Sequence, residues 1–199
     1  MVSRISRAVG MVLVLAAVAG VPSASAQGFS VTPFIGAYLP LSDVAKEDDF
    51  GVDVKQNAGV AFGGRLTYQM QGNWGIEGEI AYSSSKLDFG DVEGDGGSVL
   101  FYGAKLMYFF PSAGNFHWHA GGGLGMTSRG GDDWDGADDS STFGGILNLG
   151  FTAPLSGMMK IRVDIEDYIG SIAPVEELDS QLQNDLLITA GVMIPFGGN

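Results

Sequence analysis

The sequence predicts an all-β fold, an eight-stranded antiparallel up-and-down transmembrane β-barrel, on three observations. Apolar and polar residues alternate in eight successive runs of about ten to thirteen residues. The runs are joined in turn by very short connections and by long acidic ones. Beyond the first 26 residues no stretch is apolar enough to cross a bilayer as a helix, so any crossing must use strands.

Composition narrows the function classes. The 199 residues are 45% hydrophobic, with 32 Gly, no Cys, and 23 Asp+Glu against 10 Lys+Arg, net −13. Without Cys there is no disulfide scaffold, thiol nucleophile, Cys-ligated metal or lipidated Cys. The acidity, with a pI near 4.2, argues against nucleic acid as a partner. A mean hydropathy of +0.18 beside this charge requires the two properties to be segregated in space.

Residues 1–26 read as a cleaved secretory signal peptide. Arg4 and Arg7 form a basic start, 8–20 are apolar or small, and Ala24-Ser25-Ala26 completes an A-x-A site with cleavage after Ala26. Residues 27–199 form the barrel domain. Losing two Arg and no acid leaves eight basic residues against 23 acidic ones, net −15.

Strand one is read at 29–40. It is apolar on both phases, so its faces are not assigned. Strand two (58–70) carries Val60, Phe62, Leu66 and Tyr68 on one phase and Arg65 on the other. The turn Gln71-Gly72-Asn73 leads to strand three (74–85), with Trp74, Ile76, Ile80 and Tyr82 opposed to Glu77 and Glu79. Strand four (98–110) sets Tyr102, Leu106 and Tyr108 against Lys105, and a short turn follows at 111–115. Strand five (116–127) sets Phe116, Trp118, Leu124 and Met126 against His117 and His119. Strand six (142–153) sets Phe143, Leu147, Leu149 and Phe151 against Asn148, with a short turn at 154–157. Strand seven (158–169) sets Met159, Ile161, Val163 and Ile165 against Lys160, Arg162, Asp164 and Glu166. Strand eight (185–196) runs Leu186, Ile188, Ala190, Val192, Ile194, Phe196. The long loops are 41–57, 86–97, 128–141 and 170–184.

Alternation alone leaves two closed barrels, a lipocalin-like one with an apolar cavity and a membrane barrel with an apolar exterior. Aromatic placement selects the second. Tyr68, Trp74, Tyr108 and Trp118 flank the short turns, and Tyr82, Tyr102 and Phe143 lie near the long loops. Trp74 to Tyr82 spans roughly 20 Å along the axis, close to the separation of the two aromatic girdles of such barrels.

The charged phase then faces the lumen. It holds Arg65, Lys105, Lys160 and Arg162 against Glu77, Glu79, Asp164 and Glu166, a balance that a low-dielectric interior requires. Mirroring strands two and three about their turn sets Arg65 across from Glu79 and Thr67 across from Glu77. The expected network gathers Arg65, Glu77 and Glu79 with Arg162, Asp164 and Glu166, in space left by inward Gly59, Gly63, Gly103, Gly121, Gly123 and Gly125. Eight strands enclose only what side chains fill, so an open general porin is excluded. Seventeen acids, against Lys46, Lys55, Lys86 and Arg129, are read in the long loops, so the surplus charge belongs to one rim.

Other chemistry is less supported. Asp133, Asp135, Asp138 and Asp139 in the third loop are dense enough to suggest Ca²⁺ or Mg²⁺, without an EF-hand pattern, and the solvated-loop reading is preferred. His117 and His119 share one face but lack a third ligand by spacing, which favours interior hydrogen bonding. They lie at the end opposite to where a lipid-modifying site would open. The sequence therefore predicts no enzyme activity, no metal and no cofactor.

Val31-Thr32-Pro33-Phe34-Ile35-Gly36, Trp74-Gly75-Ile76-Glu77-Gly78-Glu79, Arg162-Val163-Asp164-Ile165-Glu166-Asp167-Tyr168 and Gly191-Val192-Met193-Ile194-Pro195-Phe196 resemble the outer-membrane β-barrel domain family, which includes OmpA/OmpX-type, opacity-type and OmpW-type proteins. The resemblance covers 27–196. It implies a barrel in the Gram-negative outer membrane, recognised by the assembly machinery through a C-terminal aromatic strand, with Phe196 in that position ahead of Gly197-Gly198-Asn199. The function expected is an envelope-structural or surface-interaction role through acidic extracellular loops. The alternatives are an OmpW-like narrow channel for small or apolar solutes and, less favoured, a lipid-modifying enzyme. The expected partners are outer-membrane lipid, lipopolysaccharide and the assembly machinery, with the chain a monomer.

Overall fold

The computed structural model describes residues 28–42, 55–88, 96–111, 114–131, 141–172 and 181–196. Eight long strands form one closed sheet: β1 (Gly28–Pro40), β2 (Gly59–Gln69), β3 (Trp74–Ser84), β4 (Ser98–Phe109), β5 (His117–Gly130), β6 (Ser141–Ser156), β7 (Met159–Ile172) and β8 (Gln181–Phe196). Each pairs antiparallel with its neighbours in sequence, and β1 closes on β8. Arg65 stands opposite Glu79 and Thr67 opposite Glu77, the register expected from the turn.

The barrel's stagger follows from its ladders. The paired residues Phe29, Tyr68, Ile76, Leu106, Gly122, Leu147, Asp167 and Leu186 lead round to Leu39, ten residues along β1 from the start. With eight strands, that stagger tilts them by roughly 40°. The resulting interior is just wide enough to be filled by side chains.

Two of the short turns use glycine where the backbone enters the left-handed region, Gly72 at φ 81° and Gly157 at φ 58°. The second corrects the sequence reading. Pro154 is not the start of a turn, because β6 continues to Ser156 and only Gly157 and Met158 reverse the chain. The register shifts between Pro154 and Ser156, a bulge at a residue that cannot donate to the ladder. Strands β5, β7 and β8 also reach three to four residues further into the long-loop end than the alternation indicated.

The structure assigns the faces of β1: Ser30, Thr32, Phe34 and Tyr38 point inward, and Pro33, Ile35 and Ala37 outward. Two loop stretches also pair, Lys55–Gln56 with Leu87–Asp88. This ladder sits on the long-loop end and carries Gln56 into the interior, where it is buried.

Candidate functional site

The site is the packed lumen. Period-two alternation delivers one side chain from every second residue of all eight strands to a common axis, and the register decides which of them meet. At the centre stand Arg65 from β2, Glu77 and Glu79 from β3, Lys105 from β4, and Arg162, Asp164 and Glu166 from β7. Each is at most 6% exposed.

Arg65 donates from Nε to Glu79 Oε2 (2.6 Å) and from Nη2 to Glu166 Oε2 (2.7 Å) and Thr189 Oγ1 (3.0 Å). Its Nη1 lies 3.3 Å from Asp164 Oδ2, and its guanidinium carbon is 4.1 Å from the centre of the Phe34 ring. Arg162 holds both oxygens of Glu77, through Nη1 and through Nη2 at 3.0 Å. It also donates to Asp164 from Nε at 2.8 Å and Nη2 at 2.9 Å. Lys105 Nζ reaches Glu79 (2.8 Å), Glu77 (3.2 Å) and Glu166. The neutral donors complete the set. Thr67 bonds Glu77 at 2.6 Å, Asn148 bonds Asp164 and Glu166 at 3.0 Å each, and Tyr168 bonds Glu79 at 3.2 Å.

These contacts tie β2, β3, β4, β6, β7 and β8 together across the barrel. Buried charges persist only when paired and hydrogen-bonded, and every carboxylate of this group meets cationic and neutral donors. Glu77, Glu79 and Glu166 place oxygens within 4.8 Å of one another, a spacing that could hold a metal ion. Lys105 Nζ pairs with all three, so a cationic group already stands among them.

Two further candidates lie towards the short-turn end. His119 is fully buried, with Nε2 2.7 Å from Asp164 Oδ1. Because a carboxylate only accepts, Nε2 carries the proton, and Nδ1 has no partner. His117 is half-buried on the same inward phase. Lys160, counted among the expected lumen charges, is half-buried at that end and lies outside the cluster.

Sequence reasoning missed the long-loop half of the lumen. Arg129, read as a loop residue, is buried on β5, where Nη2 bonds Asp185 Oδ2 (2.6 Å) and Nε bonds Gln56 Oε1 (3.0 Å). Tyr38 donates its hydroxyl to the other Asp185 oxygen at 2.7 Å. The described buried charges are therefore four basic and five acidic, with Arg129 and Asp185 added and Lys160 removed. Between this group and the central cluster lies an apolar layer of Phe34, Phe101, Ile146, Tyr168 and Leu187. The signal for Arg129 was present, since it continues the inward phase of His119 and Thr127.

The inward glycines do other work than expected. A Cβ on Gly63 would meet Phe34 at 2.6 Å, and one on Gly125 would meet Ile146 at 2.5 Å and Tyr168 at 2.9 Å, all at the apolar layer or its edge. The glycine packed against the charges is Gly150, whose Cβ would lie 2.6 Å from both Asp164 Oδ1 and His119 Nε2.

On the outer face, Trp74, Tyr82, Tyr102 and Trp118 are exposed, and Tyr68 and Tyr108 half-exposed. Near the short turns they join a belt of ring contacts: Phe196 with Phe29 and Phe29 with Tyr68, Trp74 with Tyr108, and Trp118 with Phe151. Ala26 and the acids Asp133, Asp135, Asp138 and Asp139 lie outside the described residues.

The family model described as outer membrane protein beta-barrel domain matches residues 11–193. The outer membrane protein OprG from Pseudomonas aeruginosa is similar in structure, with TM-score 0.60 and 17% identity over 86% of this chain and 97% of that one. So is Neisserial surface protein A, with TM-score 0.60 and 12% identity over 86% and 100%. The outer membrane protein AlkL, solved in lipid bilayers, has TM-score 0.56 and 14% identity over 89% and 96%. At these identities the structures share the fold. No curated protein sequence matches the chain.

Proposed function

The chain belongs to the outer membrane protein beta-barrel domain family and is an outer-membrane protein, and from that premise we propose a non-enzymatic, closed barrel that supports the envelope and meets its surroundings through acidic extracellular loops. The observation that carries this reading is the plug. Seven charged side chains from β2, β3, β4 and β7 interlock across the lumen with almost no exposure. A second barrier lies above it, where Arg129, Asp185, Tyr38 and Gln56 bond one another. The two belts of outward aromatics fit the lipid headgroup levels, where amphipathic rings are favoured. In this reading lipid and lipopolysaccharide surround the wall of a monomer, and the assembly machinery reads β8 through Phe196.

Planar-bilayer recording tests the closed lumen. The expected result is no unitary conductance from the wild-type protein at any holding potential the membrane tolerates. Stepwise ion-conducting openings would instead support the narrow-channel alternative. Uptake of small apolar solutes by vesicles carrying the protein, at the rate of empty vesicles, would remove the non-ionic version of that alternative.

A further inference from the structure

Among the described residues, the outward positions of the eight strands hold a single charged side chain, Asp167 on β7. It continues the apolar phase of Ile161, Val163 and Ile165 and stands between Leu147 of β6 and Leu186 of β8. It lies eight residues along β7 from Met159, the span that separates Trp74 from Tyr82 on β3. That places it at the level of the aromatics near the long loops. A carboxylate on a lipid-facing wall is costly, less so near the headgroups, and marks a functional position whose partner has to be named.

Among the described residues no such partner is found. Asp167 is half-buried, and its Oδ1 is shut in without a donor. The charge that acts on it from within is Asp185, of the same sign. Diagonally across on β8, Asn184 also turns outward, and its Oδ1 likewise lacks a donor. On the other side, Gly145 of β6 leaves open space, with no atom within 4 Å of where its Cβ would stand. Two unmet oxygen acceptors on neighbouring strands at headgroup depth call for a cation. Among the described residues no outward strand position carries Lys or Arg, so the described wall of a second copy does not provide one.

We propose that Asp167, with Asn184, holds a divalent cation shared with a phosphate of an outer-leaflet lipid. Hard divalent cations take oxygen ligands in sets of six or more, so one carboxylate and one amide oxygen form only part of a shell. The lipid phosphate and water complete it, and the site exists only at the wall of a membrane-inserted barrel.

The test uses the full-length protein folded in vesicles containing phosphorylated lipid A, with Mn²⁺ as the probe and the methyl resonances of Leu147 and Leu186 as reporters. Mn²⁺ is expected to broaden both, and the broadening to fall several-fold in Asp167→Asn and by less in Asn184→Ala. It is also expected to fall several-fold for the wild type when the lipid A phosphates have been removed. Broadening that survives Asp167→Asn overturns the site, because the acidic loops then account for it. Equal broadening with dephosphorylated lipid A overturns the shared lipid phosphate. Absence of broadening in the wild type overturns both.

Discussion

The two halves of the lumen are filled by opposite means. Toward the short turns, three cations, four carboxylates and His119 interlock with Thr67, Asn148 and Tyr168. Toward the long loops, aromatic and aliphatic side chains fill the section, and the buried charge among the described residues is the Arg129–Asp185 pair. The first half is held by bonds that need specific partners, and the second by volume and ring contact. They should respond differently to the loss of a group. Charged cores fail when a partner goes missing, whereas apolar layers fail in proportion to the space left empty.

The largest expected effect is in the charged half. Arg162→Met leaves Glu77 without its bidentate partner and takes two donors from Asp164. An uncompensated buried charge costs about 3–5 kcal/mol, read as a shift of the urea midpoint for the protein in vesicles. Adding Glu77→Gln should restore part of the loss, since the stranded charge is then removed. The penalty should hardly change between low and high salt, because a buried cluster is little screened. A double variant no more stable than Arg162→Met would mean that the damage comes from packing, and the contrast between the halves would collapse.

Next is Gly150→Ala, which forces a methyl against Asp164 and His119. Both are fixed by the network, so the clash cannot be relieved cheaply, and about 1–3 kcal/mol is expected. In the apolar half, Ile146→Val removes one methylene from a buried side chain, for about 1 kcal/mol in the same assay. A loss for Ile146→Val equal to that for Arg162→Met would contradict the comparison.

How far the sequence discloses this contrast follows from how each half is encoded. Charges on an otherwise apolar alternation are conspicuous, and a three-residue turn makes Arg65 and Glu79 partners by arithmetic alone. Apolar lumen residues carry no such mark, because Val99 and Phe101 on β4 leave both phases apolar, as in strand one. Arg129 falls past the end read for strand five, ahead of the glycines at 130–131, and Asp185 stands at the first residue read for strand eight, where one polar residue does not set a phase. The phase of Arg129 was legible, but the extent of its strand was not. Asp167 shows the converse: its phase places it outward among apolar residues, and only its lack of a partner in three dimensions gives it meaning.

The smallest effect tests where the two halves join. Tyr168 packs its ring against Phe101, 5.1 Å between centres, and donates its hydroxyl to Glu79 at 3.2 Å. It therefore belongs to the apolar layer by its body and to the charged cluster by its tip. Tyr168→Phe keeps the ring and deletes one neutral donor, while Glu79 retains Arg65 and Lys105. Loss of a single hydrogen bond from a carboxylate that stays paired should cost about 0.5–1 kcal/mol. If the halves are energetically separate, this cost adds to that of Ile146→Val and departs from additivity when combined with Arg65→Met, which removes another donor to the same carboxylate. Full additivity with Arg65→Met would show that the hydroxyl is not coupled to the Arg65–Glu79 pair, and no cost for Tyr168→Phe alone would leave Tyr168 to the apolar layer.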